Sequence, residues 1–135
     1  MSEQDIIEAL QHAVRDAVVS TSFQIPIKYL GRTFTIPDDQ KWLEIVLIIN
    51  NRTNETWGNE RTFQGILRLI LHWKNGDEGV YDPVAYLDEI AAYFTKNKVL
   101  EANVKVYDHP SLTSVIEAGQ ELLFPLSIPY RSFNV

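Results

Sequence analysis

The chain contains no cysteine, which excludes a disulfide framework and a thiolate metal site. Its apolar runs fall far short of the roughly 20 residues that a membrane-spanning helix needs. The opening MSEQDIIEAL carries acids where a secretory signal would carry basic residues, and no apolar core follows. The expectation is a soluble protein made in the cytoplasm, with no membrane partner. Two Asn-x-Thr triplets, at Asn51 and Asn54, match the glycosylation pattern but lack the secretory context that would give it meaning. There is no cluster of Lys and Arg, and 18 acidic residues against 12 basic ones leave a net charge of -6. Affinity for nucleic acid comes from neutralising phosphates, so specific DNA binding is not expected. Glycine-rich phosphate loops and dinucleotide fingerprints are missing too.

What is present is an ordinary globular composition, 45% hydrophobic and 22% charged over 135 residues. It suits a single domain spanning residues 1–135. In the N-terminal stretch, Ile6, Ile7, Leu10, Ala13, Val14, Ala17 and Val18 recur at helical spacing. Ser2 is placed to cap this helix, with Glu3 and Asp5 complementing its dipole. A short segment around Ile25, Ile27 and Tyr29 alternates but contains Pro26, which suits an edge strand.

Two long apolar arms follow, about Lys41–Asn51 and Arg61–Lys74, flanking the polar segment Asn51–Glu60. Leu43, Ile45, Leu47 and Ile49 form one face of the first arm, yet Trp42, Val46 and Ile48 line much of the other. Phe63, Leu67, Leu69, Leu71 and Trp73 share a face of the second arm, opposite a mixture of Ile66 and Ile70 with Arg68 and His72. Period two predicts a long antiparallel hairpin with two partly apolar faces. Trp42 and Trp73, at the outer ends of the arms, read as a core pair, and Trp57 at the polar tip as a contact residue.

Asp82 and Pro83 predict the N-cap and first position of a second helix, with Val84, Leu87, Ile90, Ala91 and Phe94 buried. A strand near Val104–Tyr107 and a hairpin turning at Gly119-Gln120 complete the pattern. The last strand, ELLFPLSIPY, places Pro125 and Pro129 in one phase, so both remove donors from the same side. That side is expected to be left unpaired, making this strand an edge. The fold class is α+β: a mainly antiparallel, curved sheet with a long hairpin and two helices packed on one face. Expected core positions are Ile7, Leu10, Val14, Ile45, Leu47, Leu67, Leu69, Leu87, Ile90, Phe124 and Leu126.

Candidate chemistry is sparse. His12, His72 and His109 lack metal-ligand spacing, and neither a metal nor a cofactor is expected. Asp108-His109 beside Ser111 and Ser114 allows an acid–base dyad with a nucleophile, but Asp-His-Pro after a strand also reads as a turn. Glu44, between apolar neighbours, is open to three readings: a buried acid, an interface group or a residue of a partly wet face.

The stretches WLEIVLIINN, ERTFQGILRLILHW, DPVAYLDEIAAYF and VKVYDHPSL…LLFPLSIPYRSF resemble the small phage tail terminator and tail completion proteins. The resemblance implies a structural virion protein, not an enzyme, assembled in the host cytoplasm as a homo-oligomeric ring, typically a hexamer. Such a ring caps the tail tube, stops its growth and offers a surface to head–tail connector proteins, while DNA passes through it. It also implies that neighbouring subunits cover the second face of the sheet. Contact residues toward subunits or tube are expected at Arg52, Trp57, Arg61, Ile66, Arg68 and Ile70. The alternatives are another connector or tube component, a small α+β enzyme, or a monomeric binding module.

Overall fold

The computed structural model describes residues 2–50, 52–53, 61–76 and 79–133, with 52, 53, 61, 62 and 133 described by backbone alone. Helix α1 spans Glu3–Val19. The Ser2 hydroxyl accepts from the Asp5 N–H, and the Asp5 carboxylate accepts from the Ser2 N–H at 3.0 Å. This capping box satisfies two donors that the first turn leaves without intrahelical partners. The spacing of its apolar residues buries Ile6, Leu10, Ala13, Val14, Ala17 and Val18 along one stripe.

Strand β1, Ile27–Lys28, runs parallel to β2, Trp42–Ile49, at Leu43 and Glu44. The short β3, Arg52–Thr53, pairs with the long β4, Arg61–Lys74. β2 and β4 are antiparallel, in register from Trp42↔His72 to Ile49↔Gly65, so the expected hairpin forms. Helix α2, Tyr81–Tyr93, leads through a 3-10 turn at Glu101–Asn103 to β5, Val104–Val106. Strands β6, Ser111–Leu112, and β7, Ile116–Ala118, precede β8, Glu121–Phe133. The sheet order is β1-β2-β4-β8-β5, with β3 beside β4 and with β6 and β7 beside β8.

Both helices lie on the same face. Odd-numbered residues of β2 and β4 and even-numbered residues of β8 face them, and Leu43, Leu69, Leu71, Ile90, Phe94 and Phe124 are completely buried. Ile7 and Leu47, expected in the core, are half-buried at its margin. The mainly antiparallel α+β architecture is as the residue pattern predicts.

Three local expectations need correction. Helix α2 starts earlier than Asp82: Val80 is the N-cap and contributes no side-chain hydrogen bond. Pro83 therefore sits third in the helix, where its missing N–H still costs nothing because first-turn donors have no acceptor in the helix. The two tryptophans do not pair. Trp73 lies on the helical side with Phe23 and Tyr86, whereas Trp42 lies on the opposite side against Phe34 and His72.

The third correction concerns β8, which is not an edge. Its proline side does face away from β4, as the Pro125 carbonyl accepts from the Thr113 N–H and the Pro129 carbonyl from the Tyr107 N–H. Three short strands occupy that side instead, pairing at Glu121–Leu123, Leu126–Ser127 and Tyr130–Ser132. The prolines interrupt this pairing without preventing it. Each lacks one donor but keeps a carbonyl that still accepts.

Candidate interaction surface

The face of the sheet opposite the helices carries the mixed residues, and the register aligns them in rows. Trp42, His72 and Leu123 form one row, followed by Glu44, Ile70 and Pro125. Val46, Arg68 and Ser127 form the next, and Ile48, Ile66 and Pro129 the one after. Ile66, Arg68 and Ile70 therefore stand at alternate positions on one surface, as their phase in the second arm predicts. All are half-buried.

Trp42 closes one end of this face. Its indole stacks on the His72 ring at a centroid distance of 3.6 Å and an interplanar angle of 6°. His72 Nε2 lies 2.9 Å from a Glu44 oxygen, and Nδ1 hydrogen-bonds to Glu121. Each ring nitrogen thus faces a carboxylate, which holds the imidazole from both sides. Glu44 finds its partner within its own chain. It is half-buried and paired, not an isolated buried acid.

Next to this satisfied end lies an unsatisfied one. Arg68 Nε, Arg131 Nε and Ser127 Oγ are buried and have no hydrogen-bond partner among the described residues. The Arg131 guanidinium lies 4.7 Å from the Tyr107 ring centroid, a cation–π contact that leaves its N–H groups available. Buried donors without acceptors are costly, and native proteins almost always pair them. Trp73 Nε1, on the helical side, is likewise buried without a partner among the described residues. Ser127 and Arg131 were missed as candidates, although the two-residue period of β8 already put them opposite Leu126 and Ile128.

The remaining expected contact residues cannot be placed as fully. Arg52 and Arg61 lie in the β3–β4 ladder, described by backbone alone, and Trp57 lies outside the described residues. The imagined dyad resolves as a turn. The His109 backbone N–H donates to the Asp108 carboxylate at 2.8 Å, and the His109 ring is exposed. Among the described residues, no group of three or more His, Cys, Asp or Glu side chains is arranged to hold a metal. No described helix is long and apolar enough to cross a membrane.

One further buried polar group stands where β4 and β8 cross the helical layer. Burial, and secondarily the charge of Glu3, push the Tyr130 phenol up to about 12. Its hydroxyl occupies the space left by Gly65, where a Cβ would come within 2.8 Å of it.

Comparison with curated proteins finds no match. A solved structure aligns over 100% of this chain and 97% of its own, with a TM-score of 0.83 and 19% identity, a likeness of fold. The model of the family described as phage tail terminator protein matches residues 5–130. With nearly the whole sheet and both helices inside that match, the chain belongs to the phage tail terminator family, a family of structural proteins of the phage tail.

Proposed function

We propose that this protein forms a ring, of six copies, that caps the end of the phage tail tube, stops its growth and offers a surface for joining the head. The observation that carries this reading is the mixed face of the sheet. Arg68 Nε, Arg131 Nε and Ser127 Oγ are buried and find no partner among the described residues, and half-buried Ile66 and Ile70 lie beside them. Arginine among apolar residues is the composition of protein contact surfaces. Arg52, Trp57 and Arg61 around the hairpin tip belong to the same contact region in this reading. The role is structural rather than catalytic. The acidic balance of the chain, -6 in net charge, lets DNA pass through the ring without being held. The protein acts in the virion tail, after assembly in the host cytoplasm.

Tail-tube polymerisation tests this. Tube subunits polymerised with the wild-type protein should stop growing and show a terminal ring in negative stain. Arg68→Glu should remain folded but cap poorly, because it turns a donor into an acid facing acceptors. If the triple variant Ile66→Asp, Arg68→Glu, Ile70→Asp caps as well as wild type, the mixed face is not the contact.

A further inference from the structure

A ring needs a contact between copies, and the two ends of this sheet are built unlike most sheet edges. Exposed edges are normally blunted by lysine, proline or a covering loop, because their free N–H and C=O groups template pairing with another chain. Among the described residues, no strand guards β2 beyond its first residues. β1 pairs only with Leu43 and Glu44, and among the described residues no strand covers the rest of that side. The phase of the ladder is set by two bonds: Leu43 N–H donates outward to Pro26, and Asn50 N–H donates inward to Gln64. The backbone groups of Leu47 and Ile49 therefore point away from β4, along the open edge. Ile48 and Ile49 are 38% and 49% exposed there. Beside them lies a small recess lined by Glu3, Ile6, Ile7, Leu47, Ile49, Phe63 and Tyr130.

The opposite end of the same sheet is equally open. Residues 111–120 are exposed, and β6 and β7 have β8 on one side and no described strand on the other. Leu112, Val115 and Ile116 expose 39%, 46% and 42% of their surface. The prolines of β8 that would guard an edge face this region from inside, so they do not protect it.

We propose that copies of this chain join head to tail by strand addition, the open edge of β2 on one copy pairing with the β6–β7 edge of the next. The occupant is a second copy because each edge is the complement the other lacks, and both belong to one sheet. β2 is antiparallel to β4, β4 to β8, and β8 to β7, so β7 runs antiparallel to β2. A rotation about an axis lying along the strands preserves that relation and brings the two edges together as an antiparallel pair. Two different patches meet in this contact, so it is heterologous and closes into a ring when the rotation permits. In strand addition the backbone bonds supply affinity and side-chain recesses supply register. The mixed face remains free for the tube. This inference rests on the ring-forming reading above and names the surface that makes the ring.

Proline substitution reads the edges directly. Ile49→Pro and Glu117→Pro each remove an N–H that points to the open side, since Glu117 lies opposite Leu122 in the phase that turns away from β8. Neither breaks a ladder bond within the chain. By light scattering, each variant should drop from ring to single subunit, an about sixfold loss of mass for a six-membered ring, with unchanged circular dichroism. Mixed in equal amounts, the two variants retain one intact edge each and should form a two-copy species and no ring. If either variant still forms wild-type rings, or if the mixture forms none of the two-copy species, the edge pairing is overturned. Should a proline variant fail to fold, Ile49→Lys and Val115→Lys place a guarding charge on each edge and are read the same way. Wild-type protein that stays a single subunit both alone and on purified tail tubes overturns the ring reading itself. Wild-type rings that survive the edge substitutions overturn only the strand addition.

Discussion

Gly65→Ala probes how closely β2 and β4 approach in the middle of the sheet. A Cβ at Gly65 would lie 2.1 Å from the Ile48 carbonyl oxygen and 2.8 Å from the Tyr130 hydroxyl. Carbon and carbonyl oxygen normally meet at ~3.3 Å or more. Tyr130 can tilt, but the Ile48 oxygen is backbone, so the two strands must part to admit a methyl group. Overpacking of this kind costs about 1–3 kcal/mol. Against it, alanine narrows the unfolded ensemble, a gain of about 0.4–1 kcal/mol where the native conformation is compatible. The steric term is the larger, and the net loss should be about 1–2 kcal/mol, or roughly 4–8 °C in Tm for a chain of this size. Thermal and urea unfolding followed by circular dichroism measure it, at one protein concentration because assembly makes Tm concentration-dependent. Gly76→Ala is the control: nothing lies within 4 Å of its Cβ, and its effect should stay within about 0.5 kcal/mol. A Gly65→Ala protein as stable as wild type would refute the close approach of the strands.

Other perturbations follow from the same geometry. Ser2→Ala removes the acceptor of the α1 capping box and should lower stability by about 1 kcal/mol in urea unfolding; no change would mean the first turn is not held by that bond. His72→Ala strips the partner from both Glu44 and Glu121 and the stacking surface from Trp42. It should cost about 1–3 kcal/mol, toward the lower end because both carboxylates keep some access to water. His109→Ala, at an exposed turn, should change neither stability beyond about 0.5 kcal/mol nor assembly. Equal effects of the two histidine substitutions would contradict the placement of His72. Alkaline titration should expose Tyr130. The unfolded phenol loses its proton near pH 10.0 and the folded one near 12, so its contribution is complete below the lower value and disappears as pH rises through the upper. The loss approaches about 2 kcal/mol. Tyr86, also raised chiefly by burial, adds in the same direction, so Tyr130→Phe should flatten the alkaline slope in part. An unchanged slope would mean that Tyr130 is not held neutral by the fold.

The sequence by itself determined the elements and their faces. The more continuous apolar phase in β2, β4 and β8 marked which residues meet the helices, because the side-chain period of a strand is two. The same alternation identified Ile66, Arg68 and Ile70 as sharing a surface. Helical spacing and the Ser2–Asp5 pair likewise determined α1, since both act over one or two turns.

What only the tertiary structure decided depends on groups distant along the chain. Pro125 and Pro129 correctly marked one side of β8 as poor in donors. Whether that side stayed empty depended on strands β5, β6 and β7, and residues just past β5 and β6, Tyr107 and Thr113, donate to the prolines' carbonyls. Trp42 and Trp73 seemed a pair by position in the arms, but adjacent phases sent them to opposite faces, and His72 became the partner of Trp42. That Arg68 Nε, Ser127 Oγ and Arg131 Nε find no partner among the described residues is a property of three-dimensional neighbourhood, because satisfaction of a hydrogen bond depends on what lies within about 3 Å. The two open edges are likewise invisible to local pattern. An edge is defined by the strand that is not beside it, and only the assembled sheet shows which strands lack a neighbour.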